Sequence, residues 1–170
     1  MDPIDLLRLT AVVEGHSTNL ASALHGPQHW RCVALVGLRL ARVTTGAGPS
    51  VAFLFGLFHD AMRVNDDEDP DHGWRGADLA RRLVASGEAT VPPEILRPLL
   101  FACETHTEAG PTKDPVVGVC YDADRLNLWR VGIELDPRYL STSAGKGIIA
   151  ATRGLHDRPL LQSDVLDAWP

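Results

Sequence analysis

Apolar positions along this chain recur at spacings of three and four, and the strict alternation of a half-buried strand is nearly absent. Asp2-Pro3 followed by Ile4, Leu6, Leu7, Leu9, Val12 and Val13 predicts a capped amphipathic helix. A loop-like stretch from Gly15 to Gly26 follows. Pro27 then opens a second helix to about Val43, with Trp30, Val33, Ala34, Val36, Leu38, Leu40 and Ala41 among its apolar positions. Thr44 to Pro49 is a turn, and Ser50 stands where it can cap a third helix from Val51 to about Arg63. The acidic stretch Asn65 to Asp71 is a loop. His72 to about Ser86 is a fourth helix and Pro93 to about His106 a fifth. Gly110-Pro111 breaks the chain before a sixth helix, Val116 to Leu128. Beyond Arg130 the pattern thins to a helix near Ala144 to Arg153 and a tail after His156 that wraps the surface. The pattern predicts an all-α bundle of about six or seven helices. No internal repeat or linker divides it, so residues 1–170 are read as one domain.

Composition narrows the function classes. A formal charge of −6 argues against a protein that coats nucleic acid. It does not exclude a phosphorylated small molecule, because a bound metal inverts the local charge. The 3 cysteines, Cys32, Cys103 and Cys120, have no paired spacing and are expected as reduced, core-filling thiols of a cytoplasmic protein. No secretory n-region opens the chain, and its apolar runs fall far short of the roughly 20 residues of a membrane span.

The third helix carries the candidate chemistry. The run Phe53-Leu54-Phe55-Gly56-Leu57-Phe58-His59-Asp60 delivers an imidazole and a carboxylate to one point of a rigid apolar element. The dipeptide alone is weak, since roughly 0.6 copies arise by chance in this composition. A second copy, His156-Asp157, reads as a turn, and neither His156 nor His16 has supporting context. The other elements add His29 in the first turn of the second helix, His72 at the start of the fourth and His106 at the end of the fifth. Asp122 and Asp124 lie within the sixth. Charged groups in an apolar helix need partners or a metal, and bundles build metal sites from facing helices. Asp122 and Asp124, two residues apart, point to different sides of their helix, and spacing does not choose between them. Of the acidic loop, Asp66 is the one carboxylate placed for site chemistry.

The order His29 … His59-Asp60 … Asp124 resembles the HD superfamily of metal-dependent phosphohydrolases. His29-Trp-Arg-Cys-Val33 is similar to its first motif and Leu57-Phe58-His59-Asp60 to its second. Asp71-His72-Gly73-Trp-Arg-Gly76-Ala77 and Thr105-His106-Thr107 resemble a subgroup that carries extra histidines. Ala123-Asp124-Arg125-Leu126 resembles the closing motif. The resemblance covers residues 25 to 132 and leaves 133 to 170 as a C-terminal extension. It implies an HD-like orthogonal bundle and, at His29, His59, Asp60 and Asp124, the ligands of a divalent ion (Mn, Fe, Co, Ni, Zn or Mg). It prefers Asp124 to Asp122 by motif. It also implies that Asp60 could bridge to a second ion held by His72 and His106, giving one or two ions per chain. Arg63, four residues after His59 on one helical face, would grip substrate phosphate. His25 and Arg125 would bind substrate, and Asp66 would act as general acid or base.

The implied activity is hydrolysis of a phosphoester bond in a small metabolite or nucleotide, with neither nucleic acid nor membrane as partner and an oligomer left open. A di-iron oxygenase of the same superfamily, and a regulatory module with a residual metal site, are the competing readings. The spacing from Asp60 to His72 is short, only 12 residues, and Thr105-His106-Thr107 replaces a paired His-His, so cyclic-dinucleotide specificity is not carried over.

Overall fold

Five of the long helices begin on a proline, whose fixed φ and missing N–H suit the first turn of a helix. The computed structural model describes residues 3–169. Its main elements are α1 (Pro3–His16), α2 (Pro27–Val43), α3 (Pro49–Phe58), α4 (His72–Ser86), α5 (Pro93–Thr105) and α6 (Pro115–Arg125). Three short helices follow, α7 (Ser143–Gly147), α8 (Ile149–Thr152) and α9 (Gln162–Leu166), with 3₁₀ turns at Leu128–Val131, Pro137–Tyr139 and Leu155–Asp157. The described residues are all-helical and contain no strand, with nine α-helices rather than the six or seven expected. The extra ones come from the tail, where the expected helix near Ala144 to Arg153 is split into α7 and α8. Asp2, expected to open α1, lies outside the described residues, as do the side chains of Pro3 and Ile4.

The all-apolar run becomes the central helix. Every residue of α3 from Val51 to Phe58 is buried, as expected of a helix without a polar face. It packs against α2, α4, α5 and α6, and α1 lies across it. The free thiols Cys32, Cys103 and Cys120 fill the same core. Two glycines set how closely the helices approach. A Cβ at Gly56 would lie 2.6 Å from the backbone nitrogen of Ala34, so α2 and α3 cross backbone to backbone. A Cβ at Gly73 would lie 2.1 Å from the Cys103 carbonyl, which fixes α4 against α5. No helix is long and apolar enough to cross a membrane.

The ends of several elements differ from expectation in ways that matter for the site. Ser50 lies inside α3 and Gly48 is its N-cap, because Pro49 already occupies the first helical position. α3 stops at Phe58 instead of Arg63. The chain then tightens into turns in which Ala61 N–H donates to the Phe58 carbonyl and Arg63 N–H to that of Asp60. The loop before α2 stabilises this early ending. Ser17 Oγ donates to the Ala61 carbonyl at 2.7 Å and Thr18 Oγ1 to that of Arg63 at 2.8 Å. α6 likewise ends at Arg125, which leaves Asp124 in its last turn rather than mid-helix.

Candidate metal centre

Five elements bring their ends to one place. His29 enters from the first turn of α2 and His72 from the first residue of α4. His59, His106 and Asp124 come from the C-terminal ends of α3, α5 and α6. Three C-terminal helix ends against two N-terminal ones leave a partial negative charge, which favours a cation. The side chains form two groups, each compact enough to hold one ion. One is His29, His59 and Asp124; the other is Asp60, His72 and His106.

Asp60 links them. Its Oδ2 lies 3.5 Å from His29 Nε2 and 3.6 Å from His59 Nε2, while its Oδ1 lies 3.2 Å from His72 Nε2. Asp124 Oδ1 completes the first group at 3.3 Å from His29 Nε2 and 3.8 Å from His59 Nε2. His29 and His59 are fully buried, Asp60 nearly so, and the Asp124 side chain at 18% is the most exposed of the set.

Backbone carbonyls orient the rings. His59 Nδ1 lies 3.0 Å from the Phe55 carbonyl and 3.1 Å from that of Gly56. His106 Nδ1 lies 2.8 Å from the Cys103 carbonyl and His72 Nδ1 2.5 Å from the Asp69 carbonyl. With each Nδ1 proton given to a carbonyl, each Nε2 carries a lone pair pointing inward. The two Nε2 atoms of His72 and His106 are 3.0 Å apart, and those of His29 and His59 are 3.1 Å apart. His29, whose Nδ1 makes no hydrogen bond, is not fixed in this way, but the lone pairs of His72 and His106, with both Nδ1 atoms on carbonyls, repel at 3.0 Å unless a cation lies between them. This is the arrangement by which outer hydrogen bonds fix the tautomer of metal-ligating histidines. The donors present therefore fit divalent ions. His29 Nδ1 is buried without a hydrogen-bond partner.

The protonation states agree. Burial, joined by the Arg130 charge, pushes His29 well below the usual imidazole range. Burial also lowers His72 and takes His106 down to about 4. Burial alone would raise the Asp60 carboxyl, but His59, His25, His29 and His72 outweigh it and hold it well below the usual range. Asp124 is held low in the same way, against its burial, chiefly by His29. Neutral imidazoles and ionised carboxylates are the forms that bind metal.

Other expected residues divide. His25 reaches the cluster from its loop, with Nδ1 3.0 Å from Asp60 Oδ2. Arg63 is buried against the second group, but by the turn after α3 and not by a shared helical face. Its Nη1 lies 3.6 Å from Asp60 Oδ1 and 3.1 and 3.4 Å from the two ring nitrogens of His72. Its other donors go to the carbonyls of Asn65 at 3.2 Å and Asp67 at 2.7 Å.

Two expected residues are not brought to the site. Asp66 is exposed and accepts from the Ser22 hydroxyl, because the loop turns it away from the cluster. Arg125 donates to the carbonyls of Tyr139 at 2.7 Å and of Ala109, and stacks on Tyr121, so it ties loops together. The choice between the two aspartates is resolved. Asp122 accepts from Ser141 N at 2.6 Å, Thr142 N at 2.8 Å and Thr142 Oγ1 at 2.7 Å, which makes it an anchor for α7 and leaves Asp124 as the ligand candidate.

Three residues near the cluster were not among those expected. Asp69 is the buried acid of the loop. It accepts from Val64 N at 3.0 Å and pairs with Arg75 at 2.6 Å, and its carbonyl orients His72. His156 stacks on His29 with ring centroids 5.5 Å apart, and its Nε2 lies 3.1 Å from Asn127 Oδ1. The tail is held there by Gln28, which donates to the Arg158 carbonyl at 2.8 Å and accepts from Leu160 N at 2.9 Å. Arg130 is the third, with Nη2 3.9 Å from Asp60 and Nη1 4.0 Å from Asp124. The sequence offers no signal for His156 or Arg130, which meet His29 and His25 respectively across more than 100 residues of chain. The chain matches no family model, no curated protein and no solved structure.

Proposed function

We propose that this chain is a metal-dependent phosphohydrolase of the HD type, with two ions per molecule, acting on a phosphoester bond of a small metabolite or nucleotide. The observation that carries the reading is Asp60, one oxygen toward each of two His-containing groups. His29, His59 and Asp124 would hold one ion and His72 and His106 the other, with Asp60 between them. A pair of divalent ions supplies Lewis acidity at a phosphoryl oxygen and lowers the pKa of water. The residues of the chain do the rest. The carbonyls of Phe55, Gly56, Asp69 and Cys103 keep the imidazoles aimed inward. Arg63 places a buried positive charge beside Asp60. The apolar wall of α3 and the His156 segment limit access of bulk water.

A second reading is a di-iron oxygenase, which requires both His72 and His106 to face inward, as they do. Elemental analysis of protein purified without chelator, followed by phosphate release from a panel of phosphomonoesters and diesters, separates the two. About two ions per chain and hydrolysis lost in Asp60→Asn support the hydrolase. No metal after reconstitution sinks it. Iron with oxygen uptake and no phosphate release favours the oxygenase.

A further inference from the structure

Arg130 belongs to the 3₁₀ turn after α6, and its side chain is only 6% exposed. Nε donates to the Leu24 carbonyl at 2.8 Å and Nη1 to that of Asn127 at 3.1 Å, so two backbone groups fix the guanidinium plane. Nη2 meets His25 Nδ1 at 3.1 Å, but the same nitrogen lies 3.0 Å from Asp60 Oδ2. One ring nitrogen cannot accept from Arg130 and donate to Asp60 at once. When it donates to the carboxylate, three of the five guanidinium N–H groups are left uncommitted. The carboxylate oxygens beside them, at 3.9 and 4.0 Å, are beyond hydrogen-bond reach. A buried guanidinium is thus held rigidly with its free edge toward the cluster.

Charge says what that edge is for. Asp60 and Asp124 are balanced by Arg63 and Arg130, and the buried Asp69 carboxylate is already paired with Arg75. Two divalent ions would leave an excess of about four positive charges in a dehydrated region. A cation held beside such a centre needs a polyanion from outside. Asp124, the most exposed ligand candidate, adjoins Arg130 and marks the open side.

We infer that Arg130 is the anchor for a dianionic tetrahedral group, the terminal phosphoryl of a phosphomonoester, gripped by two Nη donors. This rests on the hydrolase reading and narrows it from phosphoesters in general to monoesters. Arg fits such a fork, whereas Lys offers a point charge.

The test uses metal-loaded full-length protein, titrated calorimetrically with inorganic phosphate and, as a monoanionic comparator, dimethyl phosphate. Metal per chain and the circular-dichroism melt are recorded on the same samples. Phosphate is expected to bind at least about tenfold more tightly than dimethyl phosphate, and Arg130→Gln to weaken phosphate at least about tenfold with metal content unchanged. Arg130→Lys, which keeps the charge, decides alone should the Gln variant fail to fold, and is expected to weaken phosphate about fivefold or more. Phosphate affinity within twofold of wild type, equal binding of dimethyl phosphate, or loss of metal together with phosphate overturns the inference. A wild type that takes up no metal overturns the hydrolase reading as well, and the metal count tells the two failures apart.

Discussion

Gly73→Ala tests whether the second ligand group depends on the contact between α4 and α5. The new Cβ would lie 2.1 Å from the Cys103 carbonyl oxygen, 2.8 Å from His106 Cε1 and 3.0 Å from His106 Nδ1. The nearest obstacle is backbone, so no rotamer change relieves it and α4 must retreat by roughly 1 Å. Overpacking of this kind costs about 1–3 kcal/mol. At about 2–4 °C per kcal/mol for a chain of this size, the melting temperature should fall by roughly 2–12 °C. The obstructing carbonyl is the one that orients His106, and the retreat carries His72 away from a partner 3.0 Å off. His29, His59 and Asp124 stand on other helices and are left in place. The expected result is a destabilised protein with about one ion per chain, against the two proposed for the wild type. Gly15→Ala serves as control, since its Cβ meets nothing within 4 Å. Thermal melts and elemental analysis read both effects. A Gly73→Ala protein as stable as wild type, with the same metal count, would refute the packing argument.

Two further predictions concern protons and the paired aspartates. Burial lowers His106 and His156 to about 4, so between the ordinary imidazole value of about 6.5 and that point the unfolded chain binds more protons than the folded one. Metal-free protein in chelator should therefore lose melting temperature steadily as pH falls from about 6.5 to about 4, with the low carboxylates Asp60 and Asp124 adding loss only below that window; a flat or rising profile contradicts it. Asp122→Asn sets an amide against three donors and should cost about 2–4 kcal/mol with metal content unchanged. Asp124→Asn should instead lower metal content with a smaller loss of stability, and the reverse pattern in melts and metal analysis would exchange their roles.

What could be read from the sequence follows from where the information sits. The helical repeat carried His29, His59, His72 and His106 to helix ends, and one packing arrangement gathers them with Asp124, which the early end of α6 brings from its expected mid-helix place into the last turn. Helix lengths were less legible, because α3 ends where Ser17 and Thr18 capture the carbonyls of Ala61 and Arg63, and nothing within the α3 segment announces those partners. That early ending also changed the reasoning for Arg63, which reaches Asp60 through a turn. The acidic loop misled for a related reason. Asp66 and Asp69 have the same chemistry, and only the fold shows that Arg75 and Val64 N fix Asp69 while Asp66 faces outward. Arg130 and His156 depend on long-range contacts, with the Leu24 carbonyl in one case and the His29 ring in the other. The groups that aim the imidazoles are carbonyls of Phe55, Gly56, Asp69 and Cys103, and every residue has a carbonyl, so no side-chain motif encodes them. A motif thus specifies which donors are available. The tight crossing of α4 on α5, permitted by the missing Cβ at Gly73, is what turns two of those donors into a pair able to share an ion.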